Sequence, residues 1–325
     1  ARVFWVKPSV EFLEKYLKVN HYDVLVTTGP PHSLHLIGLN LKKKLPDLKW
    51  IADFRDPWTE ISYYKHLKLT KIADKKHRKL ESEVFKNADI TLATSYTDAE
   101  NFRKKGANAF CITNGFDVDA STTLSMTEEN SKTLPLSNST TKFTLSYIGV
   151  LEQLRNPEIL WETLNDLVQE NADFKNDFQL KFVGRLDDKI LQKIESSPLK
   201  NNLTNLGYQT HDVALKHMQD SSVLLITNFP QESSKGIIPG KIFEYLATGK
   251  TILSFGPKDA DVEKILIETK AGKHFGYDEK ENLKKFILES YENWKSGTLN
   301  QNAENIEQFS RKNLTQKLVD LMNKI

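Results

Sequence analysis

Gly236–Lys250 reads GIIPGKIFEYLATGK, and Thr251–Phe255 follows as TILSF. A loop holding Pro239 and Gly240 enters an apolar-periodic segment (Ile242, Phe243, Leu246, Ala247), Gly249 stops it, and a short apolar run comes next. Loop, helix, glycine stop and strand in so short a span is the local grammar of a parallel α/β sheet. Lys241 and Glu244 lie three apart and so point to one side of the helix. A lysine at a helix start opposes the dipole. It belongs there either beside an anionic ligand, because free N–H groups at that end already attract phosphate, or as half of a solvated Lys–Glu pair. Both readings stay open on these residues alone.

The same grammar extends in both directions. Strands are expected at 23–28, 49–53, 90–93 and 110–113, with helices at 9–18, 33–44, 67–87 and 97–105 between them. A second block places strands at 143–148, 179–183, 203–206, 222–227 and 251–255. Its helices fall at 157–169, 187–196, 211–219 and 261–269, and two more, 279–295 and 302–324, finish the chain. Asp119 to Thr141 is rich in Ser, Thr and Asn and has no apolar period, and it reads as a linker or a surface excursion. The domain expectation is therefore an N-terminal domain over 1–120, a linker over 121–141 and a C-terminal domain over 142–300. The last helix, 301–325, is expected to pack back on the first domain. Each domain is Rossmann-like α/β with a parallel sheet, and ligands of such sheets sit at the C-terminal strand ends, here in a cleft between two facing sheets.

Composition agrees with two globular domains. The chain has 325 residues, 39% hydrophobic and 27% charged, which is ordinary for a folded protein. A formal net charge of +2 gives no bulk signal for nucleic acid. Cys111 stands alone, so there is no internal disulfide framework, and a reducing cytoplasm fits. No run of 18 apolar residues and no signal peptide is seen. The eight histidines and one cysteine show no zinc spacing, and no Walker, Gly-x-Gly-x-x-Gly or nucleophile-elbow motif occurs. The segment 65–86 is rich in Lys, Arg and His. It reads as a solvated helix face, or as a face for peripheral contact with an anionic membrane.

Candidate chemistry gathers at the expected strand ends. Gly149 with Arg155, Gly184 with Arg185, Gly207 with Tyr208, and Lys241 beside Gly240 would suit a diphosphate, with forked guanidinium bonds and a point-charge ammonium. Glu244 would accept from two ribose hydroxyls. In the first block, Asp53-Phe54-Arg55-Asp56-Pro57-Trp58-Thr59 follows a strand. Its two carboxylates could hold the arginine, bind sugar hydroxyls or act as a general base. Equally, it could be a structural network with Trp58 in the core. Gly29-Pro30-Pro31-His32-Ser33 also ends a strand; His32 is either an acceptor contact or a neighbour of the helix cap, and His35 reads as a surface residue.

Taken in order, these passages resemble glycosyltransferase family 4, the large retaining family of GT-B glycosyltransferases. DVLVTTG at 23–29, LESEVFKNADITLATS at 80–95 and ITNGFD at 112–117 resemble its N-domain motifs. The stretch 147–155, FVGR at 182–185, 205–208 and EYLATGK at 244–250 resemble its donor-domain motifs. GPPHS and DFRDPWT look like a bacterial subgroup. By that resemblance Arg155 would hold the donor diphosphate and Glu244 the donor ribose. Arg55, with Asp56 or Asp53, would fall on the catalytic face. The resemblance implies no cofactor and no metal, only a nucleoside diphosphate sugar of UDP or GDP type as substrate. The first Glu of the family pair is Gly236 here, and Val150 replaces a usual arginine, so Lys241 or the loop backbone around Ile238 to Gly240 would serve the donor sugar. The opening ARVFWVKPS has no start methionine and reads as the middle of the N-terminal domain, which is expected to be incomplete. The function expected is metal-independent hexosyl transfer, with retention, to a glycan or lipid-linked acceptor in cell-surface polysaccharide synthesis. This would take place in the cytoplasm or at the inner face of the membrane. The alternatives are a GT-B nucleotide-sugar epimerase and a catalytically degenerate glycan-assembly scaffold.

Overall fold

The computed structural model describes residues 3–61, 64–117, 142–300 and 303–325. The proposed linker, 121–141, lies outside the described residues. The chain forms two compact units, residues 1–114 with 313–325, and residues 115–312.

The first unit carries a parallel sheet in the order β1 (Val24–Gly29), β2 (Lys49–Phe54), β3 (Ile90–Ala93), β4 (Ala109–Cys111). Helices α1 (Val6–Val19), α2 (Ser33–Lys44), α3 (Lys71–Asn87) and α4 (Tyr96–Lys104) accompany the strands. The core between helices and sheet is strongly aromatic: Trp50, Phe54, Phe85 and Phe102 are fully buried. Gly38 lets α2 lie directly on this core, since a Cβ there would fall 2.4 Å from the Trp50 ring. The expected helix 67–87 is shorter than its charge pattern implied. Lys68 takes a left-handed turn, and Thr70 then caps α3, its Oγ1 accepting from the Ala73 N–H at 3.2 Å. Along α3, Arg78 pairs with Asp74 at 3.0 Å, while Lys71, Lys75 and Lys76 are exposed.

The second unit carries a parallel sheet in the order β10 (Gly272–Phe275), β9 (Thr251–Phe255), β8 (Val223–Thr227), β5 (Phe143–Ile148), β6 (Phe178–Val183), β7 (Leu203–Asn205). Helices α5 (Glu158–Glu170), α6 (Ala172–Asp177), α7 (Asp188–Glu195), α8 (His211–Gln219), α9 (Lys241–Ala247), α10 (Asp261–Thr269) and α11 (Lys280–Lys295) cross between strands. The chain runs outward from β5 through β6 to β7, then returns to β8 on the other side of β5. That reversal is a topological switch point, the place where open parallel sheets leave a crevice at their C-terminal strand ends. One strand, β10, had no signal in its sequence GKHF; its pairing with β9 makes it. The final helix, α12 (Arg311–Met322), has most of its length in the first unit, where Leu321 joins Ile51, Ile90 and Leu92 in a buried cluster. No helix among the described residues is long and apolar enough to cross a membrane.

Candidate functional site

The switch point of the second unit is built around one turn, Ile148-Gly149-Val150. Gly149 has φ +119° and Gly184 has φ +123°, and a Cβ on Gly184 would lie 2.2 Å from the Gly149 carbonyl oxygen. Close backbone packing of the two turns therefore requires the glycine at Gly184. The Gly149 N–H donates to the Val183 carbonyl at 2.8 Å.

Two cations bracket this turn. Lys241 Nζ donates to the Ile148 carbonyl at 2.8 Å and stands 4.0 Å above the Tyr147 ring. Arg155 Nη2 donates to the Val150 carbonyl at 3.1 Å and to Glu152 at 3.2 Å, with the guanidinium 5.5 Å from the Phe229 ring centre. Tyr147 also donates to the Val150 carbonyl, at 2.8 Å, and Tyr245 Oη accepts from the Ile148 N–H at 3.3 Å. Tyr277 Oη donates to the Asn228 carbonyl at 2.5 Å, at the end of β8. Burial, then the nearby Arg155 charge, pushes the Lys241 ammonium down to about 7, with Glu244 acting in the opposite direction. Arg155 Nε is buried without a hydrogen bond, and Lys241 has no carboxylate within ion-pair distance among the described residues.

The other donor-side candidates lie as follows. Glu244 is half-buried on α9, and its side chain makes no hydrogen bond or ion pair among the described residues. Arg185 is exposed, and its carbonyl accepts from Leu151 N–H at 2.9 Å. Tyr208 is 89% exposed. Gly240 has φ −54°, and a Cβ there would meet nothing within 4 Å. Tyr147, Phe229 and Tyr277 had no assigned role in the sequence. Tyr147 sat inside a quoted motif, whereas Phe229 and Tyr277 carried no signal, because distant segments bring them to Arg155.

In the first unit the C-terminal strand ends converge similarly. Arg55 N–H donates to the Gly29 carbonyl at 3.0 Å, and Arg55 Nη2 donates to Asn114 Oδ1 at 3.0 Å. Thr94 Oγ1 donates to the Arg55 carbonyl at 2.9 Å. Burial pushes the Asp53 carboxyl up, partly offset by a Thr28 hydrogen bond and the Arg55 charge. Asp56 is half-buried and has no partner among the described residues. The rest of the loop is structural: Thr59 gives both its N–H, at 3.0 Å, and its hydroxyl, at 2.7 Å, to buried Glu81, and Trp58 Nε1 donates to His77 Nδ1 at 3.0 Å.

His32 stacks on Trp58, with centroids 5.3 Å apart and planes 12° apart. Burial, and secondarily His77, push it down to about 4, against the Pro57 carbonyl. His35 is not a surface residue: it is fully buried, and Thr27 Oγ1 bonds its Nδ1 at 2.9 Å while accepting from Trp50 Nε1 at 2.9 Å. Its place on the core side of α2, against Phe54, accounts for the difference. Among the described residues no group of three or more His, Cys, Asp or Glu gathers in a way that could hold a metal ion.

No protein-family model matches the chain, and no curated protein matches it in sequence. Solved structures match it over nearly its whole length. A glycosyltransferase from Rickettsia africae superposes with a TM-score of 0.63 at 14% identity, over 99% of this chain and 81% of that one. The lipopolysaccharide outer core galactosyltransferase WaaB, in its apo form, gives 0.62 at 14% identity, over 98% and 80%. A mutant of S. aureus TarM, in complex with fondaparinux, α-GlcNAc-glycerol and UDP, gives 0.60 at 16% identity, over 98% and 59%. The fold is GT-B. At these identities the likeness carries the fold, and activity has to be argued from the site.

Proposed function

We propose that this GT-B chain transfers a hexose, with retention of anomeric configuration, from a nucleoside diphosphate sugar to a glycan or lipid-linked acceptor. The observation that carries the reading is the pair of cations at the switch point of the second unit. Arg155 and Lys241 bracket one glycine turn; Arg155 touches Glu152 only at its exposed rim, and Lys241 feels the Glu244 charge without an ion pair to it among the described residues. A diphosphate would span the two cations, and a guanidinium is suited to two phosphoryl oxygens at once. Glu244, without a partner, fits the ribose hydroxyls.

Bond cleavage at the anomeric carbon leaves both electrons on the diphosphate. Arg155 and Lys241 are in place before that charge develops, which is where fixed electrostatics lower a barrier most. Because these side chains supply the positive charge, the reading assigns the reaction no resident metal. Asp53, with its raised carboxyl, and Asp56 are the groups offered to the acceptor and the reacting centre, and Arg55, tied to Asn114, positions that loop. UDP in the TarM complex makes a uridine diphosphate a natural first probe, with GDP beside it.

Calorimetry on Arg155→Ala and Glu244→Ala tests the assignment. Arg155→Ala should weaken UDP or GDP binding by roughly ten- to hundredfold, the loss of charge-assisted hydrogen bonds, and Glu244→Ala by roughly tenfold. Unchanged affinity in both variants would sink the donor-site assignment.

A further inference from the structure

We propose that Glu152 is a placeholder counter-ion, occupying Arg155 while the site is empty and yielding it to the donor diphosphate. The inference rests on the donor-site reading above. It begins with an asymmetry between the two partners. Arg155 is anchored: its side chain is 21% exposed, Nη2 holds the Val150 carbonyl, Phe229 lies under the guanidinium, and the Arg155 carbonyl accepts from Tyr277 Oη at 3.4 Å. Glu152 is loose: its side chain is 57% exposed, and the contact to Arg155 at 3.2 Å is its only hydrogen bond or ion pair among the described residues. It sits at extended backbone (φ −102°, ψ 153°), just before the short 3-10 turn Gln153–Arg155, so rotation of its own side chain moves the carboxylate into water.

The chain hardly needs this pair for stability, since an ion pair with one exposed partner contributes little. For binding it matters more. Among the described residues both hydrogen bonds of the Arg155 head run through Nη2, so Nη1 is left with donors to offer an incoming anion. A carboxylate already 3.2 Å from Nη2 competes with that anion for the same charge. Glu152 thereby lowers donor and product affinity together, favouring release of the nucleoside diphosphate after transfer.

The test is a double-mutant cycle read by calorimetry with UDP and GDP. Glu152→Gln keeps the shape and removes the charge. It should tighten nucleoside diphosphate binding roughly two- to fivefold, with an unchanged melting midpoint in the absence of ligand. In an Arg155→Ala background the same change should have no effect on affinity. Tighter binding that persists without Arg155 would overturn the placeholder role, as would unchanged or weaker binding in Glu152→Gln. Wild-type protein that binds neither UDP nor GDP would overturn the donor-site reading itself, and this inference with it. Wild-type binding with no response to Glu152→Gln overturns the inference alone.

Discussion

Lys241 and Glu244 stand one helical turn apart on α9, yet they meet different surroundings. Glu244 reaches no partner, while the Lys241 ammonium is drawn inward onto the Ile148 carbonyl and the Tyr147 ring. Enclosure there, with Arg155 nearby, brings its pKa down to about 7, far below the ordinary lysine value. The consequence has a definite sign. At about pH 8.5 the empty site holds Lys241 mostly neutral, and a bound diphosphate favours the charged form, so binding takes up a proton. Affinity therefore falls as pH rises from 7 toward the higher value of the complex. Titrations with UDP at about pH 8.5, in buffers of different ionisation enthalpy, should give heats that differ with the buffer, and Lys241→Met should abolish the difference. Buffer-independent heats in the wild type would show that Lys241 does not change protonation on binding. None of this is visible in GKIFEYLATGK, which sets the lysine at the helix start but says nothing of the carbonyl it will reach from a strand some ninety residues earlier.

At the scale of elements, the unit β1–loop–α2 shows how burial fixes a proton state. His32 and His35 both lie against Phe54, and both are held far below the usual imidazole value, at about 4 and about 3. Burial is the first cause in each. The folded chain thus binds fewer protons than the unfolded chain between about pH 6.5 and 3, so stability is present above that window and is lost as pH falls through it. The urea midpoint of the first unit should drop across this range, and His35→Gln should flatten the drop. An equally steep drop in the variant would remove His35 from the account. Many elements were legible in the sequence: 33–44, 90–93, 143–148, 211–219, 251–255 and 261–269 occupy the spans that period and breakers predict. What was not legible depended on partners. GKHF becomes β10 only because β9 offers an edge, α6 exists because Asn171 Oδ1 caps the Phe174 N–H at 3.0 Å, and the 67–87 pattern is cut by Thr70. The candidate site divides the same way: Arg155, Lys241 and Glu244 stood out as charges at loop and helix starts, whereas Tyr147, Phe229 and Tyr277 became neighbours only through the sheet order.

On the scale of the whole molecule, each unit has its own hydrophobic core. That of the second unit is built on Phe143, Phe174, Phe178, Trp161 and Tyr291, and that of the first on Trp50, Phe54, Phe85 and Phe102. The chain does not divide at a single point, because residues 313–325 belong to the first unit. There Leu321 is buried with Ile51, Ile90 and Leu92, and Leu318 and Met322 pack beside them. Strands β2 and β3 have one face on the aromatic core, and these C-terminal residues cover apolar side chains on the other, so the last turns of the chain complete a sheet laid down near its start. Leu321→Ala removes buried methyl groups at that contact and should cost the first unit about 2–3 kcal/mol. The second unit has no share in the cluster and should not respond. Hydrogen exchange reads the two separately: amides of β2 and β3 should lose protection in Leu321→Ala, while those of β5, β6 and β8 keep theirs. Equal loss in both units would mean that the chain unfolds as one cooperative body. No loss in either would mean that α12 contributes nothing to the sheet it covers.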